Sequence, residues 1–201
     1  MEIEKKFILS PTSGLTFYKE CERCWWLTKN TDWKRPTYGF PTLPGGIDKI
    51  LKKYYDEFRT QNILPPEIST HPKYKTLKPF HDQTKLTEYR RSRWRKSKIE
   101  EQGLAYKDEN LQSILHGGLD ELLETTNGKI VVLDYKTRAS PPKEDTVKWS
   151  QLQLNTYTFL LQKLGHETEK YALLIYYWPE KIKQNGDFQF NSEIKEINID
   201  I

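Results

Sequence analysis

Residues 112–137, QSILHGGLDELLETTNGKIVVLDYKT, hold two apolar runs on either side of a tight-turn signal. Asn127-Gly128 favours a hairpin turn whose two central residues need positive φ, which Asn and Gly adopt at least cost. The runs 112-QSILHGGLDELLE-124 and 129-KIVVLDYKT-137 therefore read as paired strands, with a further strand before them at 103-GLAYKD-108. Pairing brings Asp120 near Asp134. The two-residue period of a strand turns Asp134 and Lys136 to the same side. Val131, Val132 and Leu133 supply a buried strand that holds Asp134 in place.

The pattern extends in both directions. After Pro141-Pro142 a helix runs from about Thr146 to Leu164, with Gly165 at its C-cap. The apolar run 170-KYALLIYYW-178 reads as a strand buried on both faces. A helix joining two strands of one sheet makes a right-handed crossover, so this strand is expected parallel to 129–137. The tail from Phe188 to Ile201 reads as a closing pair of strands with turns around Asn185-Gly186 and Asn191. Upstream, 9-LSPTSGLTFYKECERCWWLTKN-30 reads as one helix with Ser10, Thr12 and Ser13 as N-cap candidates. Thr31 to Gly46 is expected to be an ordered loop, and 46-GIDKILKKYYDEFRTQ-61 a second helix. Asn62 to Pro79 carries four prolines and should be extended or irregular. The fold class is α/β: a mixed central sheet flanked by helices. One domain over 1–201 is expected, mainly helical in 1–100 and with a sheet core and crossover helix in 101–201.

Composition sets the bounds. Hydrophobic residues are 36% of the chain and aromatics 13%, so rings supply buried area that aliphatics do not. Disordered chains lack such aromatics. A net charge of +4 is compatible with nucleic acid without requiring it. The opening MEIEKKF lacks the apolar core of a signal peptide. No apolar run approaches the ~20 residues that span a bilayer. A soluble protein of the cytoplasm, away from membranes, is the expectation.

Asp120, Asp134 and Lys136 carry the chemistry. Asp-x-Lys alone is common on solvated edge strands. Here a glycine stands two residues before Asp120, and Gln153 and Tyr157 lie four apart on one face of the following helix. The spacings, 14 residues from Asp120 to Asp134 and 17 from Lys136 to Gln153, suit a hairpin, a short loop and a first helical turn. Two carboxylates offer hard oxygen ligands for Mg²⁺ or Mn²⁺, and a lysine beside them can orient or deprotonate water.

These motifs, 117-GGLD-120, 134-DYK-136 and 153-QLNTY-157, resemble the signature of the PD-(D/E)XK nuclease superfamily. The likeness is to the branch with RecB-type exonuclease domains and CRISPR-associated single-strand exonucleases. The segment 10-SPTSGLTFYKECERCWWL-27 is similar to that branch's opening helix. The resemblance implies a restriction-endonuclease-like core and a Mg²⁺- or Mn²⁺-dependent deoxyribonuclease, exonuclease-like, serving DNA repair, recombination or defence. It implies Asp120, Asp134 and the Tyr135 backbone carbonyl as metal ligands and Lys136 as the residue serving the attacking water. Gln153 and Tyr157 would touch DNA or brace the site. The implied substrate is DNA, single-stranded or with free ends, and a helicase or another nucleic-acid-processing protein is the implied partner. Many relatives carry a metal-binding His on the second helix; the apolar register puts Asp48 there. A first-turn Asp favoured by the helix dipole is the other reading of Asp48. Relatives with an iron–sulfur cluster use four cysteines, several near the C-terminal end. This chain has none after Cys24, so no such cluster is expected. A catalytically silent nucleic-acid-binding or scaffolding module is the competing reading, and an RNA-directed nuclease is a third.

Cys21 and Cys24 have half-zinc-site spacing, but no histidine pair completes it. Cys21 is expected to be a small core residue, Cys24 partly exposed, and no disulfide framework is legible. His116 shares a strand face with Asp120 if no bulge intervenes. The run 89-YRRSRWRKSK-98 contains Arg90, Arg91, Arg93, Arg95, Lys96 and Lys98 with Tyr89 and Trp94. Arginines grip phosphates and rings stack on unpaired bases, so Arg90, Arg91, Arg93, Trp94, Arg95 and Lys96 are candidate DNA contacts. A solvated charged helix face is the alternative.

Overall fold

Ser10 closes the first strand, β1 (Phe7–Leu9), and caps the next turn, its side chain accepting from the Ser13 amide at 3.2 Å. The computed structural model describes residues 7–36, 42–90 and 104–201. A π-type turn over Pro11–Thr16 passes into α1 (Phe17–Glu20). The chain then breaks at Cys21, which is extended at φ −160° and ψ 92°, before α2 (Glu22–Asn30). Cys21 Sγ accepts from the Cys24 amide at 3.2 Å, so a capping side chain starts a new helix where one continuous helix was expected. Cys21 and Cys24 are also joined as a disulfide, and both are partly exposed. That corrects the reading of Cys21 as a core residue and of the pair as unlinked.

Helix α3 (Thr42–Thr60) begins four residues earlier than the expected Gly46. Pro44 is tolerated there because the first turn has no intrahelical amide bond to lose. Asp48 thus lies in the second turn, outside the region where a helix dipole favours an acid, which removes the first-turn reading. The proline-rich stretch after α3 contains a short helix, α4 (Pro66–Ser69), and a two-residue strand, β2 (Lys78–Pro79), before α5 (Gln83–Arg90).

The remaining elements are β3 (Leu104–Asp108), β4 (Ser113–Gly117), β5 (Glu121–Glu124), β6 (Ile130–Thr137), a 3₁₀ turn over Glu144–Val147, α6 (Lys148–Lys163), β7 (Tyr171–Ile182) and β8 (Phe188–Asn198). They form a three-stranded sheet ordered β1-β4-β3 and a five-stranded sheet ordered β2-β5-β6-β7-β8. The stretch 112–124, expected as one strand, is therefore two strands in two sheets. It leaves the first at Gly117 and enters the second at Glu121.

The hairpin from β5 to β6 forms at Asn127-Gly128 as expected, but only Gly128 takes positive φ (79°), and the loop closes between Thr125 and Lys129 instead of as a two-residue turn. Strand β7 runs parallel to β6, pairing Asp134 with Leu174 and Lys136 with Tyr176, which is the expected crossover arrangement. Strand β8 returns antiparallel to β7 after a turn at Gly186 (φ 87°). Asn191 lies within β8 opposite Trp178, so no second turn occurs there. An edge strand this long absorbs the isolated Asn because its cross-strand partners fix the backbone.

Strand β6 divides the core. Ile130 and Val132 pack with Leu154, Leu160 and Leu161 of α6 on one face. Val131, Leu133 and Tyr135 pack with Leu51 and Tyr55 of α3 on the other. The alternation explains why the IVVL run is apolar throughout: both faces are covered. Among the described residues no helix is long and apolar enough to cross a membrane.

Candidate active site

Asp134 is the buried centre of the site. It lies on the α6 face of β6 with 1% of its surface exposed. Lys136, two residues on and on the same face, places Nζ 2.6 Å from Asp134 Oδ2. Gln153 on α6 donates its amide to Asp134 Oδ1 at 3.3 Å and to the Tyr157 hydroxyl at 2.9 Å. Burial pushes the Asp134 carboxyl up to about 7, and the charge of Asp120 adds to it while Lys136 works against both. Lys136 is half-buried, and Asp134, Asp120 and Asp48 together outweigh its desolvation and hold its ammonium charged.

Asp120 occupies the gap between β4 and β5, where the chain passes from one sheet to the other. The gap separates it from His116, whose imidazole is lowered by burial and by Lys29, so a shared strand face does not exist. Helix α3 approaches from the opposite side. Lys52 Nζ stands 2.9 Å from Asp48 Oδ2 and 3.4 Å from Asp120 Oδ1. An ammonium thus bridges two carboxylates expected from the sequence to share a cation.

The Tyr135 carbonyl can be located from strand parity. Ile130 and Arg138 make their backbone bonds to the β7 side, Ile130 N to Glu167 O and Arg138 N to Tyr177 O, each at 2.8 Å. Even-numbered residues of β6 therefore direct their peptide groups to β7, and odd-numbered ones to the β5 side. The pairing with β5 ends at Glu121 and Leu133. Past that point the Tyr135 carbonyl faces an edge that β5 no longer occupies, on the side of Asp120.

Sequence reading missed the support beneath Asp120. Glu121, 3% exposed, receives Arg90 at 2.8 Å and Arg59 at 2.5 Å. Both arginines also meet Asp56, and Arg90 Nε donates to the Asp120 carbonyl at 2.6 Å. Arg90 is thereby turned inward and occupied within the fold, not presented as a DNA contact. Arg91, Arg93, Trp94, Arg95 and Lys96 lie outside the described residues. A signal for the network existed: an acid inside the apolar stretch ELLE needs a buried cationic partner. Lys52 was legible as well, since it lies four residues after Asp48 on one helix face.

Gly117, three residues before Asp120, makes a close approach. A Cβ built there would lie 2.5 Å from Tyr157 Cε1, so only glycine lets β4 pass the ring that holds Gln153.

The matching family model is that of the PD-(D/E)XK nuclease superfamily, over residues 9–197. The chain belongs to this superfamily. Its mixed α/β architecture is consistent with the restriction-endonuclease-like core of PD-(D/E)XK proteins. Comparison with curated proteins gives no match. PD-(D/E)XK nucleases generally use a divalent metal, and the chemistry of the donor set here fits one: hard oxygens from Asp120, Asp134 and the Tyr135 carbonyl edge. Among the described residues no three acidic, His or Cys side chains converge as a preformed cage.

Proposed function

We propose that the protein is a metal-dependent nuclease that hydrolyses DNA phosphodiesters and acts like an exonuclease of the RecB-type and CRISPR-associated branch. The observation that carries the reading is the meeting of Asp120, Asp134 and Lys136 beside β6, with Gln153 on Asp134. Asp120, Asp134 and the Tyr135 carbonyl hold Mg²⁺ or Mn²⁺, with Asp48 as a further carboxylate on the helical side. When bound, such an ion supplies Lewis-acid stabilisation of phosphoryl charge and a more acidic water. Lys136, fixed against Asp134 with its ammonium charged, orients the attacking water and offsets the charge that develops on the phosphate. Gln153 and Tyr157 keep the Asp134 carboxylate from rotating. The basic, aromatic segment 91–96 contributes sequence-independent affinity for the phosphate chain, which weakens as salt rises.

The test is cleavage of labelled single- and double-stranded DNA and RNA with Mn²⁺, Mg²⁺ or EDTA, with Asp120→Ala and Lys136→Ala alongside. Each substitution should lower the rate by about a hundredfold or more, and EDTA should abolish it. Cleavage that survives EDTA or both substitutions overturns the mechanism. Retained metal binding without cleavage of any substrate favours a silent, nucleic-acid-binding scaffold.

A further inference from the structure

Arg59 and Arg90 are both taken up by Glu121 and Asp56, and Arg35 pairs with Glu20 at 2.8 Å. Arg138 differs. Among the described residues its guanidinium meets no carboxylate and makes no hydrogen bond, and its Nε is buried without an acceptor. A buried donor left unpaired costs stability, and more so when it is charged. An anion supplied from outside the chain would remove that cost.

The strand fixes where this cation sits. The Arg138 amide donates to the Tyr177 carbonyl at 2.8 Å, which carries the β6–β7 ladder one residue past Thr137. Arg138 therefore keeps the two-residue period and shares the α6 face with Asp134 and Lys136, its backbone about 7 Å beyond that of Lys136. Its contact with Tyr176 gives the same face independently. The guanidinium carbon lies 5.8 Å from the centroid of that ring, and Tyr176 belongs to the core on the α6 side. Tyr176 is also the residue that pairs with Lys136 across the two strands. The guanidinium is thus held over the immediate neighbour of Lys136. Asp134, Lys136 and Arg138 form one row, stepped at close to the interval between successive phosphates of an extended nucleic-acid strand.

We propose that Arg138 grips the phosphate adjoining the scissile one and so sets which bond of the strand lies against Lys136. The proposal rests on the nuclease reading of the Asp134–Lys136 centre. A guanidinium presents a planar fork that matches two phosphate oxygens, and stacking on a ring keeps that fork in one plane. Its role is positioning: it holds the substrate one linkage away from the reacting bond and moves no proton.

The test uses short single-stranded DNA oligonucleotides in which one linkage at a time is a neutral methylphosphonate. Affinity is measured in Ca²⁺, which suppresses turnover, and single-turnover cleavage in Mn²⁺. Wild type is compared with Arg138→Ala, Arg138→Lys and Arg138→Gln, the last keeping a planar group over Tyr176 should the alanine variant not fold. We expect wild type to lose about tenfold in affinity when one linkage, the neighbour of the bond cut in Mn²⁺, is neutral. Arg138→Ala and Arg138→Gln should bind the normal strand about tenfold more weakly and lose nothing further at that linkage, while every other linkage keeps its wild-type effect. Arg138→Lys, charged but without the fork, should recover part of the affinity and of the sensitivity at that linkage. The same linkage-by-linkage profile in wild type and Arg138→Gln would overturn the contact and leave the nuclease reading standing. A wild type that shows the expected profile in Ca²⁺ but cuts nothing in Mn²⁺ overturns the nuclease reading and leaves the phosphate contact standing. A wild type that binds none of the oligonucleotides overturns both.

Discussion

Arg90 Nε donates to the backbone carbonyl of Asp120 at 2.6 Å, while the rest of its guanidinium holds Glu121 and Asp56. One side chain thus fixes both the peptide of a candidate metal ligand and the buried acid beside it. Removing it leaves Glu121 buried with a single cationic partner. Arg90→Ala should cost about 3 kcal/mol of stability in urea unfolding. Arg90→Lys should recover the charge but not the fork, and so only part of the loss. Equal stability of wild type and Arg90→Ala would show that the network is dispensable.

Asp134 is held in a setting that disfavours its charge. Asp134→Asn keeps the shape and the Gln153 contact while removing that penalty. Metal-dependent cleavage should disappear, yet the melting temperature without divalent ions should equal or exceed that of wild type. A large fall in melting temperature would mean that the Lys136 ion pair stabilises the fold more than burial of the carboxylate costs.

Gly117 leaves no room for a methyl group against Tyr157. Gly117→Ala should cost about 1–3 kcal/mol through overpacking. It should also slow cleavage by displacing the Tyr157–Gln153–Asp134 chain of contacts. Combining it with Tyr157→Phe, which leaves the ring in place, should not restore stability; combining it with Tyr157→Ala should relieve the clash.

His166 gives the fold a dependence on pH. Burial depresses its imidazole below the ordinary 6.5, helped by Lys85 and His81 against Asp82, and its Nε2 meets the Tyr89 hydroxyl at 2.8 Å. The unfolded chain takes up a proton first as pH falls through 6.5, so stability present at neutral pH drains away from there down to the folded value. His166→Gln should reduce the slope of melting temperature against pH in that window. Identical slopes in the two proteins would remove His166 from the account.

The hairpin, the parallel β7 and the long crossover helix were all legible because each has a strong local cause: a turn dipeptide, an apolar run covered on both faces, and a glycine stop. The split of 112–124 was not. Apolar residues lie on both sides of Gly117-Gly118, and the change of sheet there depends on partners distant in sequence, β1 and β3 for the first half and β2 and β6 for the second. The start of α3 was hidden for a related reason, since Pro44 and two glycines look like loop residues unless the first turn is known to tolerate them. Around the site, period paired Asp134 with Lys136 and Gln153 with Tyr157, while the resemblance to the family signature joined both pairs to Asp120. The inward turn of Arg90 depends on Asp56 and Glu121 being brought together by packing, which no spacing announces.

Lys52 makes the acidic cluster its own counter-ion. Under the proposed metal binding, a divalent ion at Asp48 and Asp120 would enter by exchange, displacing a tethered ammonium instead of filling an open charge. Apparent affinity is then the intrinsic affinity scaled by the fraction of molecules whose lysine has swung aside. The lysine side chain is 38% exposed on a flexible stem, so the exchange needs no rearrangement of α3. On the same reading, Lys52 would offset one of the two carboxylate charges at rest, and occupancy would rise hyperbolically with the ion at a midpoint raised in inverse proportion to that fraction.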